Sequence, residues 1–459
     1  MVFLQVFLQI LGGWQAAFPR ARSWRRATGQ ALGMLTALGR RTLSRAICAK
    51  GRQQEDWSAE YKLHARSRWQ AADLFQPILN RALPLCQGRY IAVAVDDTRL
   101  RKTGLRIPHV SWGRDPLSPK FRFNLMLGLR FLHLSLLVPL YRHSKASPRA
   151  LPIRFEEAPP LKKPGCRAST EERAAYRLAT RTHNLSTRAV DVIAGVRAAI
   201  DSAGSRHRTL LIVGDNSFCN RTLFGSKGER TEIVARARRD IKLCRRAPSG
   251  GRCFYDAVKF TPEQVRQNPL IAWRKTRIFH GGQWRKIRYK QVDDVLWQSG
   301  ARQRLLRLFV IAPIPYQAIG RRRKYYRDPA FLLTTDLKGT ARELLQPYFD
   351  RWQIEVNHRE LKDTLGVGQA QLRSAQSVPR QPAFAVAAYS ALMLAGLIAF
   401  GPGRGPHFQT LPKWRRNAHR PSCLDLITLL REQITENPGL VQPLGFQSDC
   451  KSLVLTAAA

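Results

Sequence analysis

Apolar residues recur at helical spacing through the first 88 residues. Between 30 and 47 they interleave with Arg40, Arg41 and Arg45. Between 57 and 83 the period is carried by Trp69, Leu74, Phe75, Ile78 and Leu79. At residue 89 the period changes. Tyr90-Ile91-Ala92-Val93-Ala94-Val95 is a short apolar run stopping at Asp96-Asp97-Thr98, which predicts a buried strand with acids at its C-terminal edge. The stretch 121–141, rich in Phe, Leu and Val, predicts two further strands forming a hairpin, and the Pro- and charge-rich stretch 144–185 predicts loop with some helix. Helical period returns at 187–203 through Val190, Val192, Ile193, Val196 and Ile200. A second apolar run, Leu210-Leu211-Ile212-Val213-Gly214, then ends at Asp215.

From 226 to 340 the texture is strand-like, with short runs at 252–255, 276–279, 286–289, 304–312 and 329–334 broken by Gly, Pro and charge. Helix is predicted again at 339–364 and 383–400. Gly401-Pro402-Gly403-Arg404-Gly405-Pro406 has linker composition, and the tail holds one helix capped by Ser422 and stopped by Asn437-Pro438-Gly439. No internal repeat is visible. The chain therefore divides into a helical segment 1–88, an α/β segment 89–225, a β-rich segment 226–340, a helical return 341–400 and a tail 401–459.

Composition changes what this pattern can mean. The chain has 459 residues, 77 Lys and Arg against 32 Asp and Glu, and a net charge of +45. So basic a surface concentrates polyanions, nucleic acid above all. Hydrophobic residues make up 44%, enough for packed cores, which excludes global disorder. The eight cysteines form no C-x-x-C pair and have no histidine at zinc spacing, so the expectation is reduced thiols in a cytoplasmic protein. The apolar start, 1–14, lacks a basic leader and is interrupted by Gln5 and Gln9, unlike a signal peptide. The uncharged stretch 383–400 approaches membrane-span length. It is rich in Ala, holds Tyr389, Ser390 and Gly396, and follows a charged helix, so a buried core helix is expected rather than a span. Arg236-Ala237-Arg238-Arg239, the Arg321–Lys324 turn and Lys413-Trp414-Arg415-Arg416 are basic surfaces suited to DNA. The helical head could bind DNA as a helix-turn-helix, or serve equally well as a packing appendage.

Against this basic background three acids stand out: Asp96 after the first apolar run, Asp215 after the second, and Glu355 in the helix near 348–362. Strand-end aspartates are often mere caps. Here they combine with Tyr348, Arg351, Glu355 and Lys362, spaced Y-x2-R-x3-E-x6-K, which fall within an arc about 60° wide on an ideal helix. A phenol, a guanidinium, a carboxylate and an ammonium on one face are costly to bury. They suit a phosphate backbone beside a metal, although Arg351 and Glu355 would also pair as i,i+4 neighbours on a solvated face. The expected fold is α/β: an RNase H-like core, a mixed sheet flanked by helices, interrupted by a β-rich insertion, with helical N- and C-terminal regions. In such a fold three carboxylates can hold two Mg2+ ions, with Mn2+ as a substitute, for in-line phosphoryl transfer.

Val93-Ala94-Val95-Asp96-Asp97-Thr98, Ile212-Val213-Gly214-Asp215-Asn216-Ser217-Phe218 and the Tyr348–Lys362 stripe together resemble the DDE transposases of bacterial insertion sequences, in the branch with a Y-R-E-K signature helix. The resemblance spans roughly 89–400. It implies Asp96, Asp215 and Glu355 as catalytic and metal-holding acids, with Asp97 the second choice for the first. It implies that Tyr348, Arg351 and Lys362 grip the phosphate of a transposon end. It also places a β-rich insertion between Asp215 and Glu355, from which an aromatic stacks on a flipped base; Trp273, Trp284 and Trp297 are the candidates, Trp297 foremost, with core packing the alternative for each. A basic residue often follows the family's second Asp, where this chain has Asn216-Ser217. His358 makes an E-x-x-H pattern with Glu355 but has no zinc partners; a DNA contact from the flank of the stripe is the other reading.

The function implied is cleavage of DNA at inverted-repeat ends and strand transfer into target DNA, by a homodimer or larger assembly on double-stranded DNA, in the bacterial cytoplasm at the nucleoid and with no membrane association. The alternatives are a DNA-binding relative without catalysis and an RNase H-like nuclease acting on hybrids or junctions. Every one of these requires binding that weakens steeply with salt, with a log–log slope of about −0.9 per phosphate neutralised.

Overall fold

The apolar run that begins at Tyr90 does not stop at Asp96. In the computed structural model, which describes residues 3–447 apart from 116–117, 120, 143, 249–252, 318–322, 405–406, 409–410 and 412–418, it continues as a strand, β1, from Tyr90 to Arg101. Asp96 is therefore a mid-strand residue. Two further strands precede β4: β2 (Ser111–Arg114) and the long β3 (Leu125–Val138). β4 (Arg149–Glu157) lies inside the stretch expected to be loop and helix. Pro152 hides it in the sequence. The register slips there, from Leu134↔Arg154 to Ser135↔Pro152, and β4 pairs only with β3, so the missing N–H falls at a bulge on an edge strand.

β1 runs antiparallel to β3 and parallel to β5 (Thr209–Gly214), which in turn runs parallel to β6 (Thr231–Ala237). The order β4–β3–β1–β5–β6, three antiparallel strands followed by two parallel to the first, is the RNase H-like core. The β-rich stretch then joins the same sheet. Its strands are β7 (Leu243–Arg246), β8 (Tyr255–Phe260), β9 (Arg274–His280), β10 (Gln283–Leu296), β11 (Leu305–Ile311), β12 (Pro315–Gln317), β13 (Lys324–Tyr326) and β14 (Ala330–Thr334). β14 pairs with β6, and β11, β10, β7 and β8 follow outward, with β9 on β10. Among the described residues this makes one twelve-stranded mixed sheet, with only β12 and β13 paired apart.

The N-terminal helices and the described C-terminal helices build one helical body beside the sheet. Its centre is the 24-residue helix Ser377–Phe400, buried almost throughout from Val378 to Leu397. This is the only described helix long and apolar enough to cross a membrane, and it is a core helix whose apolar surface is removed from water by its neighbours. Phe384 meets Trp14 at 5.3 Å, Phe400 meets Phe3 at 5.6 Å, and the Leu4 N–H donates to Gln433 of the Cys423–Glu436 helix at 2.8 Å. The head thus packs as part of this body. Lys413-Trp414-Arg415-Arg416 and Arg321-Arg322 lie outside the described residues.

Close helix contact explains Gly29 in the Ala21–Thr36 helix. A Cβ there would stand 2.0 Å from the Leu444 carbonyl oxygen. Gly29→Ala should cost about 1–3 kcal/mol through this overpacking, read as a lower urea midpoint. An unchanged midpoint would mean that the tail does not dock on this helix.

Candidate active site

The parallel register between β1 and β5 sets the site. Ala94 lies opposite Val213, the last β1 pair, so continuing two positions brings Asp96 level with Asp215. β5 stops at Gly214, whose Cβ would collide with Phe218 at 2.7 Å; the missing side chain lets the chain turn tightly behind the acid. Asp215 opens that turn, its Oδ1 accepting from the Ser217 N–H at 2.8 Å.

Alternation along β1 separates Asp96 from Asp97. Asp97 accepts from the Arg130 Nε at 2.7 Å across β3 and is paired there. Asp96 faces the helix Trp352–Arg359, with an Oδ2 3.9 Å from an Arg351 terminal nitrogen. Burial, and next the nearby Asp215 charge, push the Asp96 carboxyl up to about 7, while Arg351 pulls the other way.

The Y-R-E-K stripe is not one regular helix. The helix Ala341–Asp350 gives way at Arg351, where the Ile354 N–H bonds three residues back to the Arg351 carbonyl at 2.9 Å. After Arg359 the chain widens into a π turn, Glu360–Thr364, where the Leu365 N–H reaches the Glu360 carbonyl at 3.0 Å. One tightened and one widened turn leave the four side chains on the acid side. Arg351 donates to Glu355 Oε1 at 3.0 Å, so its guanidinium stands between Glu355 and Asp96. Burial raises the Glu355 carboxyl, opposed by Arg351 and helped by Asp215. Burial likewise raises the Tyr348 phenol, which lies in the fields of Arg236, Arg351, Asp215 and Glu355. Burial lowers the Lys362 ammonium, with Asp363, Asp96, Asp115 and Asp97 acting against it.

All six residues therefore share one neighbourhood. The acids converge without closing into a cage: among the described residues no group of three or more His, Cys, Asp or Glu side chains is close enough to hold a metal ion. The donor set itself, three carboxylates of which Asp96 and Glu355 are desolvated, suits a hard divalent cation such as Mg2+ or Mn2+.

His358 is half-buried, its ring 5.0 Å from that of His133, the β3 residue directly opposite Asp96, and desolvation lowers its imidazole to about 3. Next to it Asn357 donates to Ser135 Oγ at 3.2 Å and to the Ala150 carbonyl at 3.1 Å. The Tyr389 hydroxyl donates to Asn357 and to Glu360. These bonds pin the Glu355 helix to β3, β4 and the Ser377–Phe400 helix. Trp297 is half-buried, edge-on to Phe224 at 5.7 Å, and packs against the core. Trp284 is held by Tyr141, Phe279 and Arg342, and Trp273 by Arg288 and Lys290. Trp352, 59% exposed directly beside Arg351, is a further residue at the site; a tryptophan flanked by Arg351 and Gln353 is the signal for it in the sequence.

The raised Asp96 carboxyl has a thermodynamic signature. Between its ordinary value of 3.8 and about 7 the folded chain holds a proton that the unfolded chain has lost, so this group's contribution to stability falls as pH rises through that window. Asp96→Asn removes the penalty. Without divalent cations the variant should be more stable than the parent above pH 7, by about 1–4 kcal/mol, and the gap should close toward pH 4. Asp350, also raised to about 7 by burial, is present in both proteins and cancels. Thermal midpoints against pH would check this; a constant gap would remove Asp96 as the cause.

No protein-family model matches the sequence, and no curated protein matches it. Among solved structures the chain is similar to a piggyBac transposase in a synaptic complex with hairpin DNA, at 10% identity and a TM-score of 0.33, over 94% of this chain and 78% of that one. Similarity so distant leaves the site's own residues to carry the functional argument.

Proposed function

We propose that the protein is a transposase that cuts DNA at the ends of a mobile element and joins the freed 3′-hydroxyl to target DNA. The observation that carries this is the β1–β5 register, which brings Asp96 level with Asp215 on the side where the Trp352–Arg359 helix supplies Glu355. The three acids would hold Mg2+ or Mn2+, which when bound polarises the phosphoryl oxygens and lowers the pKa of the attacking oxygen. Arg351, Lys362 and Tyr348 lie on the same face and would hold the phosphate by charge and hydrogen bond. The +45 charge gathers duplex DNA, and a homodimer or larger assembly would bring two ends together.

One observation favours a second reading, a DNA-binding relative without catalysis: the Asp96 carboxylate meets the Arg351 guanidinium at 3.9 Å, and among the described residues no three acids stand close enough to hold a metal ion. The test uses the full chain and the DNA that flanks its own coding sequence, with Mg2+ or with EDTA. Mg2+-dependent nicks leaving 3′-hydroxyls at terminal inverted repeats are expected. Salt-sensitive binding without nicking on duplex, hybrid or junction DNA would establish the second reading. Preferential cutting of hybrids would make the protein a nuclease of another kind.

A further inference from the structure

The hairpin formed by β2 and β3 extends beyond the acids and is not used in the chemistry above. β3 overruns its pairing with β1, which ends at Gly128, and there takes β2 as its partner, Ser111↔Gly128 to Arg114↔Leu125. Side chains on this extension are large, apolar and open to solvent: Trp112 is 60% exposed, Phe123 67% and Phe121 92%. The Arg114 guanidinium lies 5.7 Å above the Phe123 ring.

Register gives the hairpin a direction. Odd residues of β3 share a face, so Trp112 opposite Leu127 and Arg114 opposite Leu125 lie on the same face as His133 and its partner Asp96. Six to eight residues of strand separate these pairs from Asp96, about 20–26 Å. The base of the hairpin is tied to the catalytic side. Lys102 Nζ donates to the Gly368 and Ala370 carbonyls, just after the Lys362 turn.

Charge selects the occupant. Arg99, Arg101, Arg106, Arg114 and Arg122 lie in or beside the hairpin, whereas between 98 and 130 the only acid is Asp115. A second copy of a chain with net charge +45 would be repelled there. Duplex DNA satisfies the arginines but keeps its base faces stacked away from the aromatic rings. A strand with unpaired bases satisfies both. We propose that this hairpin is a stacking platform for an unpaired stretch of the DNA strand, about 20–26 Å from Asp96, with Trp112 and Phe123 under the bases and Arg114 on the backbone. The position relative to the cut rests on the transposase reading; the binding chemistry does not.

The test is fluorescence anisotropy in EDTA with the full chain, using labelled oligothymidylate and a duplex of equal length. The double variant Trp112→Ala, Phe123→Ala should lose about ten- to a hundredfold in oligothymidylate affinity. Its duplex affinity should stay within about twofold, with thermal midpoint and salt slope unchanged. Trp112→Phe in the otherwise unchanged chain should bind nearly as the parent does, and Arg114→Ala should lower the salt slope by about one. Equal losses on both DNAs, or none, would overturn the platform. So would a variant defective only in self-association by sedimentation, or only in binding anionic phosphatidylserine vesicles. Acid-dependent cleavage with unaltered binding by the hairpin variants would sink the platform and leave the enzyme. Selective loss of single-strand binding in a chain that never cuts DNA would do the reverse.

Discussion

A chain carrying Gln at 355 should bind duplex DNA as tightly as the parent yet cleave it at least about a thousandfold more slowly. Asp96→Asn and Asp215→Asn should do the same. Each substitution keeps shape and removes one anionic oxygen pair. On the proposed function binding would come from the basic surface, which these changes leave intact or make slightly more positive. Cleavage would then depend on the three carboxylates acting together, so the losses should not add: the triple variant should be little worse than any single one. Single-turnover cleavage in Mg2+, set against anisotropy in EDTA, separates the two quantities. Glu355→Gln cutting at the parent rate would remove Glu355 from the chemistry, and Asp97→Asn matching Asp96→Asn would reopen the choice of first acid.

Those acids were legible because each aspartate follows a short apolar run, a pattern that local sequence carries. Mutual alignment was not legible, since Ala94↔Val213 is a pairing between residues far apart in the chain. The continuation of β1 through Asp97, Arg99 and Arg101 was masked by charge, although these residues alternate toward a face where Arg130 pairs with Asp97. β4 was masked by Pro152 at its bulge. The break between core and insertion was read from composition, but Phe331↔Ala237 joins β14 to β6 and the sheet runs on. Helical spacing puts Tyr348, Arg351, Glu355 and Lys362 on one arc but misses the tightened and widened turns, which ideal periodicity cannot contain. Exposed aromatics such as Trp112 and Phe123 look like core residues in a sequence; only their burial distinguishes them.

Arg351→Ala should destabilise the metal-free protein by about 2–4 kcal/mol at pH 8, because it leaves desolvated carboxylates without their counter-charge. The lower end is favoured, since the Glu355 side chain is 35% exposed and water screens part of the loss. The defect has a direction in pH. Burial already holds the Asp96 carboxyl up at about 7, and losing the guanidinium raises it further, so protonation below pH 7 relieves the repulsion and narrows the gap to the parent. Magnesium should act in the same sense. In the parent the guanidinium stands between Asp96 and Glu355, and an incoming cation must compete with it. In the variant the same carboxylates have no such partner, so millimolar Mg2+ should raise the thermal midpoint of Arg351→Ala more than that of the parent. Arg351→Lys keeps the charge but loses the planar fork that spans two acids, and should fall between them. Equal magnesium shifts in all three proteins would show that Arg351 and the cation do not share these carboxylates, which would place any metal elsewhere on the chain.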